Sequence, residues 1–473
     1  MTKKIAIFGG SFNPPHVWHR EIVEFLAWEF DEVVIVPCGD RRDKNSVNDI
    51  PPLHRAVMCD LAFRGLPNVR LDYHDLEQAE FSSNFALQQR YAVDGAEVWH
   101  VIGSDLLLVG SDGLTKIQRN WVQGSTIWSD FNWLVIDRPG CDLSNGKGVL
   151  PPKSRLEKVC TIIGSSTDIR QRQFEHRSVV GLVQPEIVAY LERYDLYRGR
   201  TASSITRLTI PTLRPFVYVD GFNSKAKELA ERLRSRTVNL DDANLIITLG
   251  GDGTMLRAVI EHWRRRIPFF GLNFGHAGYL MNQAQASWLN SPAELLAELA
   301  KLILGCYQVP LLTFSWSTGS GSCSHDFGFN DVYIKASGPT IPAVMDVTVK
   351  SRGREWQLGN IMGDGLICAT EVGSTGYAFQ AGAQWLPLSS EHKWLLIGLC
   401  ARRLPQVSLD NRSEVIARLQ QTDYRAAVLC ADNRVLGPVT ELRVRLSQIG
   451  SAELAFLPDT DLTAKRIDLT FGH

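Results

Sequence analysis

Twice in this chain a short apolar run ends in a cluster of glycines and gives way to a helical pattern. Ile5-Ala-Ile-Phe8 runs into Gly9-Gly10-Ser11, and Leu245-Ile-Ile-Thr-Leu249 runs into Gly250-Gly251-Asp252-Gly253-Thr254. A helix that starts at the carboxyl end of a strand presents unpartnered backbone N–H groups there, and glycines let an anion approach them closely. The flanking sequence repeats the arrangement. Strand-like runs at Val33–Val36, Val69–Tyr73, Val98–Ile102, Trp133–Ile136 and Val159–Ile163 alternate with helical stretches such as Ile22, Val23, Leu26 and Phe30. Pro51-Pro52 opens one such helix and Pro185 to Leu196 forms another, amphipathic one. Alternation of this kind predicts a doubly wound, mostly parallel α/β sheet with helices on both faces.

At 473 residues the chain is long for one core, and about two to four domains are expected. Residues 1–198 read as the first α/β domain. The small, polar stretch 199–212 reads as a linker, and a second alternation begins at Phe216–Val219. Residues 213–308 then form a second α/β domain. Past about residue 308 the sequence turns Gly-, Ser- and Thr-rich, with short alternating runs such as Val344–Val349. That predicts an antiparallel β-rich domain over 309–450, followed by a segment 451–473 that returns to the α/β domain.

Lys and Arg number 50 against 51 Asp and Glu, so no general attraction to nucleic acid or to an anionic membrane is expected. The nine cysteines stand at least 17 positions apart, which excludes the paired spacing of a zinc site and suits reduced thiols in the cytoplasm. No metal-ligand cluster is expected. The N-terminus enters a strand directly rather than a signal peptide.

In the first half His16 and His19 lie three positions apart behind Gly9-Gly10-Ser11, so both rings can face one anion at a helix start. Ser165-Ser166-Thr167-Asp168-Ile169-Arg170 provides hydroxyls, a helix start and an arginine, a second anion grip. Gly140 to Lys147 looks like a Walker loop, but its glycines are one residue too far apart, and it reads as a surface loop. With these motifs, residues 3–198 resemble the nicotinate/nicotinamide mononucleotide adenylyltransferases. Gly103-Ser104-Asp105, Trp121, Arg138-Pro139-Gly140 and Tyr194 to Tyr197 match further landmarks of that family. The resemblance implies a Rossmann-like nucleotidyltransferase fold and attack by a mononucleotide phosphate on the α-phosphorus of ATP. It assigns catalysis to His16 and His19, and ATP or phosphate binding to Gly9, Gly10, Ser11, Phe12, Lys44, Arg55, Gly103, Asp105, Ser166, Thr167 and Arg170. Trp18 stands where many members have glycine, and its ring is expected to pack outward.

The second glycine loop carries a carboxylate instead. Gly271-Leu-Asn273-Phe-Gly275-His-Ala-Gly278-Tyr-Leu280, Asn330-Asp331 and Asp364-Gly365 through Thr370-Glu371-Val372-Gly373-Ser374-Thr375-Gly376-Tyr377 follow it in order. Together these resemble the NAD kinase family over about residues 205–473. The acceptor there is a ribose hydroxyl, a poor nucleophile, so a carboxylate is needed to take its proton, and Asp252 is the candidate. The resemblance implies that Gly250, Gly251, Gly253, Thr254, Asn273, Asn330, Asp331, Asp364, Thr370, Ser374, Thr375 and Tyr377 bind NAD or ATP. Glu371 replaces the family's usual proline, Gly376 its alanine, and Asp432-Asn433 an Asp-Gly; the segment Leu399 to Pro405 lacks a proline-flanked landmark.

The combined expectation is a bifunctional enzyme of NAD and NADP synthesis acting on small molecules. Its substrates would be ATP with Mg2+ or another divalent cation, nicotinamide or nicotinate mononucleotide, and NAD. The NAD kinase resemblance further implies a homodimer or homotetramer. A competing reading, prompted by Trp18 and Glu371, makes one half a pyridine-nucleotide sensor that regulates the other.

Overall fold

The computed structural model describes the chain except residues 1, 42–48, 139–140, 142, 144–146, 160–163, 200–202, 320–322, 339, 390, 402–403, 405, 459 and 472–473. The chain divides into two compact units, Met1–Ala202 and Ser203–His473.

The first unit is built on a six-stranded sheet. Its strands are β1 (Lys4–Gly10), β2 (Glu32–Pro37), β3 (Val69–Leu71), β4 (Glu97–Gly103), β5 (Asn132–Ile136) and β6 (Ser154–Glu157). Every pairing is parallel, in the order β3-β2-β1-β4-β5-β6. Ile5, Val33, Val34, Ile35 and Leu134 are buried, as parallel strands covered on both faces require. The strand order reverses between β1 and β4. In a doubly wound sheet the crevice outside the carboxyl ends at that reversal is where ligands bind, and Gly9-Gly10 ends β1 at that place.

One strand differs from expectation. The sixth strand is Ser154–Glu157, ahead of the expected Val159–Ile163, of which residues 160–163 lie outside the described residues. Its residues are only partly buried, because an edge strand has one neighbour and needs little apolar character. The loop expected at Gly140–Lys147 also falls largely outside the described residues.

The second unit contains sixteen of the described strands. In chain order they are β7 (Ile205–Leu208), β8 (Pro215–Val219), β9 (Leu245–Gly250), β10 (Phe269–Asn273), β11 (Leu304–Ser317), β12 (Cys323–Gly328), β13 (Asp331–Ala336), β14 (Ala343–Ser351), β15 (Arg354–Gly363) and β16 (Gly365–Ala369). They continue with β17 (Trp394–Leu399), β18 (Val407–Leu409), β19 (Ser413–Gln420), β20 (Ala427–Ala431), β21 (Arg434–Pro438) and β22 (Glu441–Phe456). β8, β9 and β10 are parallel neighbours, and β22 adds to β10 in parallel through Phe269–Leu454 and Phe270–Ala455. β22 also pairs antiparallel with β11 along one edge and with β19 on the opposite edge, so one continuous sheet passes from α/β to all-β character. A second, antiparallel sheet has the order β18-β17-β16-β13-β20-β21.

Two expected boundaries need correction. Positions 308/309 and 450/451 both fall inside strands, β11 and β22, which pair along most of their length. Residues 205–208, assigned by composition to the linker, are strand β7 paired with the start of β11.

Candidate functional site

In the first unit β1 delivers the chain to the helix Val17–Glu29 through residues 11–16. His16 is the extended residue that caps this helix, and its backbone N–H donates to Nδ1 of His19 at 3.2 Å. A third-position side chain reaching back to the cap satisfies one of the helix's orphan donors. The bond also makes Nδ1 of His19 an acceptor, so in the neutral ring the proton sits on Nε2 and can be donated. The two rings stack with centroids 3.7 Å apart. Burial, and then the charge of Arg138, lower the His16 pKa to about 4, so that ring is neutral near pH 7.

Phe12 has φ +44°, an unusual conformation for a bulky residue. Its ring is buried between Phe8, His19 and Phe63, with centroids 5.4, 4.9 and 5.7 Å away. It therefore braces His19, and only its backbone is left to meet a ligand. Arg55 is 2% exposed and donates to the carbonyls of Ser11 and Cys38 at 2.5–2.9 Å. It holds the loop from behind. Lys44 lies outside the described residues.

The second anion grip closes onto the first. Ser166 Oγ donates to the Pro14 carbonyl at 2.9 Å, and Arg170 donates to the Asn13 carbonyl at 2.8 Å and to Thr167 Oγ1 at 3.4 Å. Tyr197 Oη donates to Asn13 Oδ1 at 2.6 Å. Trp18 does not pack outward: it is 5% exposed, and a Cβ on Gly164 would lie 1.3 Å from its ring. The glycine and the indole occupy one another's space, so the bulky residue in the first loop is accommodated by a missing side chain in the second. At the end of β4, Asp105 pairs with Arg138 at 3.2 Å. Arg138 reaches this site although sequence reading used it only as a landmark; the signal was its position at the end of the neighbouring strand β5.

In the second unit Asp252 is the first residue of the helix Asp252–His262. Its Oδ2 accepts from the N–H groups of Gly278 and Tyr279 at 2.9 and 3.0 Å, and its Oδ1 from that of Leu280 at 2.7 Å. A carboxylate has about four acceptor positions, so Oδ1 retains one. Thr254 Oγ1 donates to Asp220 at 3.2 Å, and Asn273 Oδ1 accepts from Gly275 N–H at 2.9 Å. Gly250, Gly251 and Gly253 complete the loop above β9.

A second group gathers around Asn330. Its carbonyl accepts from Thr370 N–H at 2.9 Å, and a Cβ on Gly373 would lie 1.9 Å from that oxygen, so only glycine fits. Thr370 donates its hydroxyl to Phe329, and Ser374 donates to Glu371. Thr375 donates likewise to the Val372 carbonyl. These three hydroxyls are engaged within the protein and shape the wall rather than project from it. Tyr377 meets Tyr333 edge-on at 5.1 Å. Asp331 is buried, and burial together with Asp432 pushes its carboxyl up to about 7. Asp432 accepts from the N–H groups of Phe329, Asn330 and Asp331, yet burial still raises it to about 6.

Asp364 is not brought to this group. It precedes β16 whereas Thr370 follows it, and a five-residue strand separates them by roughly 20 Å. Glu371 is buried and accepts from Ser389 Oγ, Ser389 N–H and Lys393 N–H at 2.9–3.2 Å, so it anchors the loop that follows. The helix Leu462–Phe471 links the two groups: Lys465 donates to Met281, and Arg466 to Glu371 and Leu386. Sequence reading missed both residues, because no phosphate-binding pattern surrounds them.

With this geometry the chain resembles known proteins in two separate stretches. The cytidylyltransferase-like family matches residues 7–172 and the ATP-NAD kinase N-terminal domain residues 212–303. A "Probable nicotinate-nucleotide adenylyltransferase" from Roseiflexus sp. (strain RS-1) is 29% identical over 206 residues, 41% of this chain and 98% of that protein. An NAD kinase from Xanthomonas campestris pv. campestris (strain 8004) is 28% identical over 251 residues, 51% of this chain and 93% of that one. An NAD kinase from Natranaerobius thermophilus is 31% identical over 196 residues, 41% of this chain and 64% of that one. The chain is a fusion of a cytidylyltransferase-like nucleotidyltransferase domain with an ATP-NAD kinase domain.

Proposed function

We propose that the chain catalyses two transfers from ATP in pyridine dinucleotide synthesis, one in each unit. In the first, a phosphate oxygen of nicotinamide or nicotinate mononucleotide bonds to the α-phosphorus of ATP. The bond from that phosphorus to the β-phosphate oxygen breaks, and pyrophosphate leaves. The nucleophile is already an anion, so positioning and charge stabilisation suffice. His19, with its proton on Nε2, and His16 donate to the phosphates; Ser166, Thr167 and Arg170 hold them from the facing loop; Gly9, Gly10, Ser11 and the Gly103–Asp105 turn line the crevice.

In the second, the 2′-oxygen of the NAD ribose bonds to the γ-phosphorus, ADP leaves, and the hydroxyl proton passes to Oδ1 of Asp252. Gly250, Gly251 and Gly253 let the phosphates approach the helix start, while Asn330 and Asp331 meet the adenosine end of the dinucleotide. Mg2+ or another divalent cation arrives with ATP. Among the described residues no group of three or more His, Cys, Asp or Glu could hold an ion, so the phosphates and water would supply most of its ligands.

The observation that carries this reading is the difference in proton chemistry. Two imidazoles stand at one helix start, where no base is needed, and a carboxylate with a spare lone pair stands at the other, where one is. The relatives' names favour the nicotinate form of the mononucleotide, whereas fusion to an NAD-using kinase favours the amide. The test is to incubate the purified chain with Mg-ATP and each mononucleotide in turn, then resolve the products by chromatography. The reading predicts a dinucleotide with pyrophosphate, and NADP whenever NAD is present. Absence of either product from every mixture would refute it.

A further inference from the structure

The helix Leu462–Phe471 carries none of the phosphate motifs, yet it is fixed against them at several points. Asp461 caps it, with Oδ1 accepting from Thr463 and Ala464 N–H at 2.9 Å. Arg466 donates to the carbonyls of Glu371 and Leu386, and Thr470 Oγ1 lies 3.2 Å from Tyr279 Oη. These contacts fix the helix's rotation and set Lys465 against residues 278–281. Its Nζ donates to the Met281 carbonyl and lies 5.6 Å from the centre of the Phe456 ring. The three residues before Met281 are those whose N–H groups hold Asp252. One short segment therefore carries the proposed base on one side and a largely buried ammonium on the other.

Burying an ammonium is costly, and it is retained where a counter-charge meets it. Among the described residues Met281 O is the one hydrogen-bond acceptor of Lys465, although an ammonium has three N–H groups to give. Asp252 already accepts three backbone N–H groups. The site thus holds more positive than negative polarity, next to a glycine loop and the start of an eleven-residue helix. That surplus suits an arriving polyphosphate, for which lysine acts as a point charge.

We propose that Lys465 is the phosphate-directed cation of the kinase site: it holds Asp252 in register and pairs with the oxygens of the transferred phosphoryl group. This rests on the kinase reading of the second unit. Burial lowers the Lys465 pKa to about 8, with Asp252 acting to raise it and Arg466, on the same helix, to lower it further. Phe456 contributes only its ring, while Glu371 and Tyr279 face Arg466 instead. The ammonium therefore loses its charge as pH rises through about 8, and activity that needs the charge declines there.

The test uses Lys465→Met and Lys465→Arg in the full chain. Both reactions are followed on the same preparations, with kinase kcat measured from pH 6 to 10 and thermal unfolding alongside. We expect Lys465→Met to lower kinase kcat on the order of 100-fold with adenylyl transfer unchanged, the usual scale for losing one charge-stabilising donor. Lys465→Arg should recover most of the activity and abolish the alkaline decline, because a guanidinium stays charged. Wild-type kcat in Lys465→Met would overturn the proposal. So would equal inactivity of a well-folded Lys465→Arg, or an alkaline decline that arginine leaves unmoved. If Lys465→Met does not fold, the arginine variant and its pH profile decide. If the wild-type chain makes no NADP from NAD, the kinase reading falls and this inference with it, a result distinct from an active enzyme indifferent to Lys465.

Discussion

The two glycine loops share a backbone plan and differ in what stands at the helix start. Each follows a buried parallel strand and opens a helix, so each collects N–H groups at the carboxyl edge of a sheet. In the first unit that position holds His16 and His19, rings stacked on one another and braced by Phe12. In the second it holds Asp252, both of whose oxygens are bound by backbone N–H groups. The backbone plan recruits phosphate in both cases; the side chains set what becomes of the acceptor's proton. An anionic acceptor has none to lose, and a hydroxyl acceptor needs a carboxylate nearby.

The contrast breaks most sharply at His19. His19→Ala removes a donor whose tautomer is set by the helix cap, and adenylyl transfer should fall on the order of 100- to 1,000-fold in kcat. NADP formation from NAD in the same preparation should be unaffected. A loss below tenfold would mean that the ring is structural only.

A smaller effect is expected at the indole–glycine contact. Gly164→Ala puts a methyl group into the Trp18 ring, which must shift the two loops apart and should cost about tenfold in adenylyl transfer. Trp18→Gly added to that variant should restore the rate. Failure of the rescue would show that the loops do not depend on this fit.

The smallest effect concerns the second unit's stability. Asp331 titrates near 3.8 in an unfolded chain and about 7 here, so folding favours its protonated form. That contribution is complete below about pH 4 and is lost as pH rises through about 7. Asp331→Asn, which stays neutral, should therefore raise Tm by a few degrees at pH 8 and change it little at about pH 4. An equal shift at both values would contradict the assignment.

Much of this arrangement was legible in the sequence, for a physical reason in each case. Buried parallel strands must be continuously apolar, so Ile5–Phe8, Val33–Val36 and Leu245–Leu249 announce themselves, and glycines mark where each stops. An edge strand need not be apolar, and so Ser154–Glu157 carries a weaker strand signal than the more β-branched Val159–Ile163. The joins at β11 and β22 were equally hidden, since composition changes along a strand without breaking it. At the sites, Arg55 and Phe12 carry the residue types expected of ligand contacts but are spent on carbonyls and on packing. A motif fixes which residues cluster; it does not say which of them face outward. Trp18 and Glu371, which break the family patterns, are both buried and partnered by another local feature, Gly164 in one case and the Ser389–Lys393 loop in the other. Lys465 and Arg466 had no pattern to betray them, because a helix from the chain's end joins the site only through the fold.

The most direct test of two separate active sites in one chain is a crossed assay of Asp252→Asn and His16→Ala. Each is purified and given either mononucleotide or NAD with Mg-ATP. Asp252→Asn is expected still to make the dinucleotide but to form no NADP, and His16→Ala still to convert NAD to NADP but to make no dinucleotide. Both activities lost together in either well-folded variant, or both retained in both, would contradict two separate sites.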